Sequence, residues 1–237
     1  MELIHANAKN SIVRTGILAI DTSSEYLSLA LEIDDKRYSF CEVVGNKQSQ
    51  NIIKQIDALF EAAKILPEQV GTIAYIEGPG SFTGLRIGLS VALGMSYGLN
   101  ARLIAIPAFS IFAMQVNCAN KKVLVGLDAR LGQIYLAGLY IDSLEYFLSP
   151  QLVYPNEINI AEDVTPAGTG FKIYEEQLSS KLKDGIKFEE KYPNATIMLD
   201  IIKMNKYPLI LPKDANLSYL RNKVALNLNE QQQKKQF

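Results

Sequence analysis

Apolar residues along this chain gather in short unbroken runs, punctuated by turn-forming clusters and interleaved with longer stretches of helical period. Residues 17–20, Ile-Leu-Ala-Ile, are apolar without a break, as in a strand buried on both faces. A turn cluster follows at Asp21-Thr22-Ser23-Ser24. Strands are predicted over 26–32 and 37–43, the second with Tyr38, Phe40 and Glu42 on one face. Ile52, Ile56, Leu59, Phe60 and Ala63 then recur at helical spacing, with Lys54, Asp57 and Glu61 between them. That spacing predicts an amphipathic helix over 49–66, capped by Ser49 and closed by Pro67. Residues 72–76 read as another buried strand, feeding a loop at 78–84 and a helix over about 85–99. A short strand over 103–106 leads to Pro107, placed to open a helix to about Val116, because a missing N–H costs nothing in a first turn.

The same order then begins again. A buried strand is predicted over 123–127, a turn over 128–132, and strands over 133–140 and about 145–153. Beyond them lie a strand near Val164, a turn at Gly168-Thr169-Gly170, helices over about 173–182 and 195–204, and a polar tail at 229–237. Leu18-Ala19-Ile20-Asp21 can be laid over Val125-Gly126-Leu127-Asp128, each an apolar strand that ends at an Asp, turns and enters another strand. Two halves, 17–118 and 119–228, thus stand between a loose lead-in (1–16) and the tail. Two mixed-sheet α/β halves describe the duplicated actin-like (RNase H-like) architecture, which normally clamps a nucleotide between its halves.

Composition narrows what such a chain can do. Its 237 residues suffice for a real core, and 24 Lys plus Arg against 25 Asp plus Glu leave a net charge of -1. That balance argues against a protein that holds nucleic acid by its own phosphate contacts. A single histidine, His5, excludes a His-rich metal site and leaves a Ser-His or Cys-His pair almost no room. Cys41 and Cys118 are far apart and suit a reducing compartment. The N-terminus has no apolar run of the signal-peptide kind, and the 15 uncharged residues between Arg86 and Arg102 are too few to span a bilayer. A soluble cytoplasmic protein with no membrane partner is expected.

The glycine loop and its helix carry the candidate chemistry. Gly78-Pro79-Gly80-Ser81-Phe82-Thr83-Gly84 lacks the Lys of a Walker A loop and the third Gly of a dinucleotide fingerprint. What remains is a strand, a glycine turn and a helix N-terminus, which either receives an anion or is simply a tight turn. Ser81 and Thr83 can cap that helix, and Arg86 sits in its first turn. Along it, Gly84, Gly88, Ala92 and Ser96 make a stripe of small residues, while Leu85, Leu89, Leu93, Ile87 and Val91 cover other faces. A helix apolar nearly all round is buried on more than one side. One face is expected to pack on the chain's own sheet; a second either packs internally as well or meets another subunit, with helix 49–66 as its neighbour.

At these residues a family resemblance enters. Residues 17–23, the string GPGSFTGLRIG over 78–88, Asp128-Ala129-Arg130 with Gly132 and Tyr135, and Tyr219-Leu220-Arg221-Asn222 with Val224-Ala225 resemble the TsaB family of bacterial tRNA threonylcarbamoyladenosine biosynthesis. The resemblance covers roughly residues 17–228. It implies an actin-like fold without self-sufficient activity, a degenerate paralogue of the catalytic subunit TsaD. It also implies pairing with TsaD through a helical bundle of the N-terminal halves. With the ATPase TsaE, that pair transfers threonylcarbamoyl from threonylcarbamoyl-adenylate to N6 of the adenosine beside the anticodon in ANN-decoding tRNAs. The implied partner contacts are Arg86, Gly88, Ala92, Met95, Ile56 and Phe60. The implied nucleotide vicinity is Asp21, Thr22, Gly80, Ser81 and Thr83, residues that can equally pin turns. No cofactor of its own is expected, ATP or ADP belonging to the complex interface; alone, the chain can form a homodimer.

Other features of the match bear on catalysis. The two metal-binding His of the catalytic paralogue fall at about Ala108 and Phe112 here, neither able to ligate a metal. Many relatives carry a His in the loop entering the first long helix, where this chain has Lys47-Gln48, and the lead-in is longer than usual. Two alternatives are an independently active kinase or ATPase of the same fold and a peptidase. The first lacks the Gly of a phosphate hairpin in Asp21-Thr22-Ser23 and Asp128-Ala129-Arg130. The second has Ser23, Ser81 and Ser90 but no base except His5 in the lead-in.

Overall fold

A computed structural model describes residues 14–178 and 192–221. His5 with the lead-in up to residue 13, the end of the helix expected over 173–182, and the tail at 229–237 lie outside the described residues. Two sheets organise the rest. The first joins β1 (Gly16–Asp21), β2 (Tyr26–Ile33), β3 (Lys36–Val43), β4 (Val70–Gly78) and β5 (Arg102–Pro107) in the order β3-β2-β1-β4-β5. The second joins β6 (Lys122–Asp128), β7 (Ile134–Tyr140), β8 (Tyr146–Val153) and β9 (Thr165–Ala167) in the order β8-β7-β6-β9. In each, the opening strand pairs antiparallel with the next and parallel with a later one, β1 with β2 and β4, β6 with β7 and β9. The sequence repeat is therefore a repeat of topology.

Helices fill the spaces around the sheets. They are α1 (Gln48–Ala63), α2 (Phe82–Leu99), α3 (Ala108–Met114), α4 (Thr169–Ile173), α5 (Glu175–Leu178) and α6 (Ala195–Lys203). Alternation along the strands assigns each face. Leu18 and Ile20 of β1, Leu27, Leu29 and Leu31 of β2 and Ile73 and Tyr75 of β4 point to α1 and α2. Ala19, Ala30, Ala74 and Ile76 point the other way, into a core shared with α3, α6 and Val123, Val125 and Leu127 of β6. Leu124, Ile134 and Leu136 meet Phe171 and Leu178 on the far side of the second sheet. The order across the molecule is α1/α2, first sheet, α3/α6, second sheet, α4/α5. β1 is continuously apolar because both of its faces are covered.

α6 lies late in the chain but packs on the first sheet. Asn194 caps it, accepting from Thr196 N at 2.9 Å, and Ser28 of β2 accepts from Ala195 N at 2.9 Å. Arg37 of β3 joins Glu32 and Asp200, both at 2.6 Å, and Lys203 reaches Glu32 at 3.0 Å. By packing, then, α6 belongs with the first sheet, although sequence order puts it in the 119–228 stretch.

Local ends differ from expectation in three places. Ser49 does not cap α1, which begins at Gln48 behind Lys47; buried Gln48 instead donates to Ser24 O at 2.8 Å and so ties the helix to the first hairpin. Pro67 does not close it either. Lys64 turns left-handed (φ 57°) and the N–H groups of Lys64 and Ile65 bond to Glu61 and Phe60 carbonyls, ending the helix three residues earlier. The helix expected from Ile173 starts earlier and breaks at Tyr174, whose hydroxyl donates to Asp128 at 3.0 Å.

Candidate functional site

The two Asp residues that close β1 and β6 adopt the same turn. Asp21 Oδ1 accepts from Ser23 N at 2.8 Å and from Ser23 Oγ at 2.7 Å. Asp128 Oδ1 accepts from Arg130 N at 2.9 Å, again two residues on. Their surroundings differ. Asp128 is paired through Oδ2 with Arg130 at 3.3 Å and receives Tyr174 OH. Asp21 is 1% exposed, and burial pushes its carboxyl up to about 6 against the lowering effect of the Ser23 bonds.

The shift of Asp21 has a measurable consequence. Between its ordinary value of 3.8 and about 6, the folded chain holds a proton here that the unfolded chain has lost, so this group's contribution to stability falls as pH rises through that window. Asp21→Asn keeps the acceptor oxygen without the charge. The variant is expected to lack the decline and to gain up to about 3 kcal/mol over the native chain between pH 4 and 7. Denaturant titrations of both chains at the two pH values test this; a stability difference that stays constant with pH would sink it.

The glycine loop folds onto the first hairpin. Ser81 N donates to Ser23 O at 2.7 Å, and a Cβ on Gly80 would lie 2.7 Å from that same oxygen. Ser81 caps α2, accepting from Gly84 N at 3.2 Å, and Thr22 Oγ1 donates to Gly84 O at 2.7 Å. The small-residue stripe makes this approach possible. Gly84 lies against Thr22 O, Gly88 against Thr22 Oγ1 and Ile20, and buried Ser96 donates to Ala101 O at 2.7 Å. Asp21, Thr22, Gly80 and Ser81 do come together, as hairpin and loop locked to each other. Thr83 does not join them; it is exposed on the outer side of α2.

The expected partner-contacting residues divide. Gly88 and Ala92 are fully turned toward the sheet, because the close seat of α2 needs small side chains there. Ile56 and Phe60 are buried on the inner face of α1, the face its helical period describes. These four are corrected from surface to core. Met95 is half-buried against the same core, and Arg86 is exposed. What faces outward is a groove of about 360 Å³ between α1 and α2, lined by Ile53, Phe82, Arg86, Ile87 and Val91 with Ser49, Ile52, Thr83 and Ser90. Ile53 is 59% exposed and Phe82 44%. Sequence reasoning missed Ile53 because it falls outside the inward stripe. The signal was present: an isoleucine beside Ile52, out of phase with the helix's own core face.

Arg86 is held by aromatics. Its guanidinium carbon lies 3.4 Å from the Phe82 ring centroid and 5.5 Å from that of Tyr219. On α3, Ala108 and Phe112 are buried in the core between the sheets. Among the described residues, no three His, Cys, Asp or Glu converge on a point, and no helix is long and apolar enough to cross a membrane.

Known proteins match this chain over most of its length. A family model described as TsaD, tRNA N6-adenosine threonylcarbamoyltransferase, matches residues 41–184. The tRNA threonylcarbamoyladenosine biosynthesis protein TsaB of Escherichia coli is 29% identical over 224 residues, which cover 88% of this chain and 96% of that one. The protein of the same name from Buchnera aphidicola subsp. Schizaphis graminum is 30% identical, over 82% of this chain and 97% of its own. Among solved structures, a Pseudomonas aeruginosa protein described as similar to peptidase YeaZ superimposes with a TM-score of 0.76 at 26% identity, covering 87% of this chain and 99% of that one.

Proposed function

Because this chain belongs to the TsaB family of tRNA threonylcarbamoyladenosine biosynthesis proteins, we propose that it serves that modification as a non-catalytic, TsaD-binding subunit. In this reading, the complex with TsaD and TsaE moves threonylcarbamoyl from its adenylate to N6 of the adenosine beside the anticodon. The observation that carries the docking role is the groove between α1 and α2. Helix α2 spends its small face on its own sheet, yet Ile53, Phe82, Ile87 and Val91 remain in an open apolar channel. A helix of a partner laid there would complete a bundle with α1 and α2.

Three features support a supporting role over chemistry. At about positions 108 and 112, where the resemblance places the ligands of the catalytic paralogue, this chain buries Ala and Phe. Ser23 and Arg130 stand where a kinase of this fold has the Gly of its Asp-x-Gly hairpins, and the Ser23 hydroxyl is engaged by Asp21. The opening turn of α2 is taken up by Ser81, with Ser81 itself bound to Ser23 O. The reading assigns no resident nucleotide or metal to the chain; ATP or ADP belongs to the interface of the complex, tRNA is held through its partners, and the compartment is the cytoplasm. Without TsaD, the same groove can close on a second copy.

Reconstitution tests the role. TsaD, TsaE, tRNA and threonylcarbamoyl-adenylate are combined with and without the chain, and modified adenosine is counted. Modification is expected only when the chain is present. Equal modification without it would refute the reading, and so would modification by the chain in the absence of TsaD.

A further inference from the structure

After Ile210, the chain runs as a strap across four other parts of the molecule. Ile210 exchanges two backbone hydrogen bonds with Leu103 of the edge strand β5, at 3.0 and 2.8 Å. The Tyr75 hydroxyl donates to Asn216 O at 2.9 Å and accepts from Asn216 N at 3.2 Å. Ser218 N donates to Glu77 O at 2.8 Å, at the end of β4. A Cβ on Gly78 would lie 2.6 Å from Ser218 O, so the strap is pressed against the start of the glycine loop. Tyr219 then meets the first turn of α2, its ring 6.0 Å from Phe82 and 5.5 Å from the Arg86 guanidinium. Two residues on, Arg221 Nη2 donates to Ala129 O at 2.9 Å, Arg130 O at 3.2 Å and Gln133 Oε1 at 2.8 Å. These three acceptors belong to the hairpin turn of the other half. That turn holds Arg130 and Leu131 left-handed, with φ of 61° and 55°, a conformation costly for non-glycine residues without outside support.

We propose that residues 216–221 are a mechanical tie that couples the first turn of α2 to the turn 128–133 of the second half, so that a protein seated on Phe82 and Arg86 alters the order of that turn. The tie stands on the free chain's own contacts; it rests on the docking reading only for the identity of what pushes on it. Tyr219 and Arg221 are its two grips, one in each half. Each acts by a short-range contact, a cation–π stack on one side and one charged nitrogen, Arg221 Nη2, shared among three carbonyl oxygens on the other. Between them lies a single residue, Leu220, packed against the shared core, which gives the tie little slack.

Hydrogen exchange of the full chain tests the tie, read at the amides of Ala129 and Gln133, which close the turn by bonding to Gln133 O and Arg130 O. Arg221→Ala is expected to speed their exchange about tenfold. Tyr219→Ala, which removes the grip on the opposite half, is expected to speed it roughly threefold. Addition of TsaD is expected to slow that exchange in the native chain and to leave it unchanged in Arg221→Ala, although the variant still binds. Unchanged turn exchange in a folded Tyr219→Ala overturns the tie. Should that variant unfold, Tyr219→Leu keeps the apolar bulk, loses the stack and is judged by the same readout. A native chain that fails to bind TsaD refutes the docking reading, while the two variants measured alone still decide the tie.

Discussion

Ile53→Glu is expected to weaken binding of TsaD at least about 100-fold while the free chain keeps its fold. The side chain is 59% exposed and stands at the mouth of the groove opposite Ile87 and Val91, so its replacement opens no cavity in the core. Glu is a good helix former, and surface changes of this kind cost within about 0.5 kcal/mol. In the complex, the same position would be covered by apolar surface. A carboxylate without a partner there costs a few kcal/mol, and about 2.7 kcal/mol corresponds to 100-fold. Titration calorimetry against TsaD, beside thermal melts of the free variant, separates the two effects. A folded variant that binds like the native chain would mean that TsaD docks elsewhere.

Gly84→Ala is expected to destabilise the chain by more than about 3 kcal/mol, the reverse of what glycine to alanine does in an ordinary helix. The added methyl would run into the carbonyl of Thr22, which is backbone and belongs to the turn that also positions Asp21. The helix cannot retreat easily, since Thr22 Oγ1 is bonded to Gly84 O and Ser81 N to Ser23 O. Gly94, on the exposed side of the same helix with open space around its Cβ position, is the internal control. Gly94→Ala is expected to stabilise by about 0.5–1 kcal/mol. Denaturant titrations of both variants decide the point; two substitutions of equal and opposite sign to these would mean that α2 is not seated on the first hairpin.

The sequence was most legible where pattern and burial share one cause. The apolar run at 17–20, the alternation in β3 and the repeat around Asp21 and Asp128 all appear as strands and turns in register. The repeat even extends to the side-chain bond made two residues after each Asp. The candidate site was less legible because an apolar residue carries no label saying which surface covers it. Gly88, Ala92, Ile56 and Phe60 were expected at a partner and lie in the chain's own core, while Ile53 went unnoticed. Helical period identifies the inward face, so the apolar residues left facing outward are those that break it. The strap had no such signature at all. Asn216, Ser218 and Tyr219 are placed by contacts with Tyr75, Glu77 and Phe82, residues well over a hundred positions earlier, and no local spacing encodes those meetings.

One last consequence follows from where α6 packs. A clamp needs a hinge, and two halves that open must be able to part without breaking a core. Here the chain leaves the second sheet and returns to place α6 on β1 and β2, with Ala195 N on Ser28 and the charges of Asp200 and Lys203 bound to Arg37 and Glu32. Parting the halves would pull Val123, Val125 and Leu127 of β6 off the core that they share with Ala195, Met198, Leu199 and Ile201 of α6. The return path makes α6 a keystone: its apolar side fills the seam between the sheets, so neither half has a complete core without it.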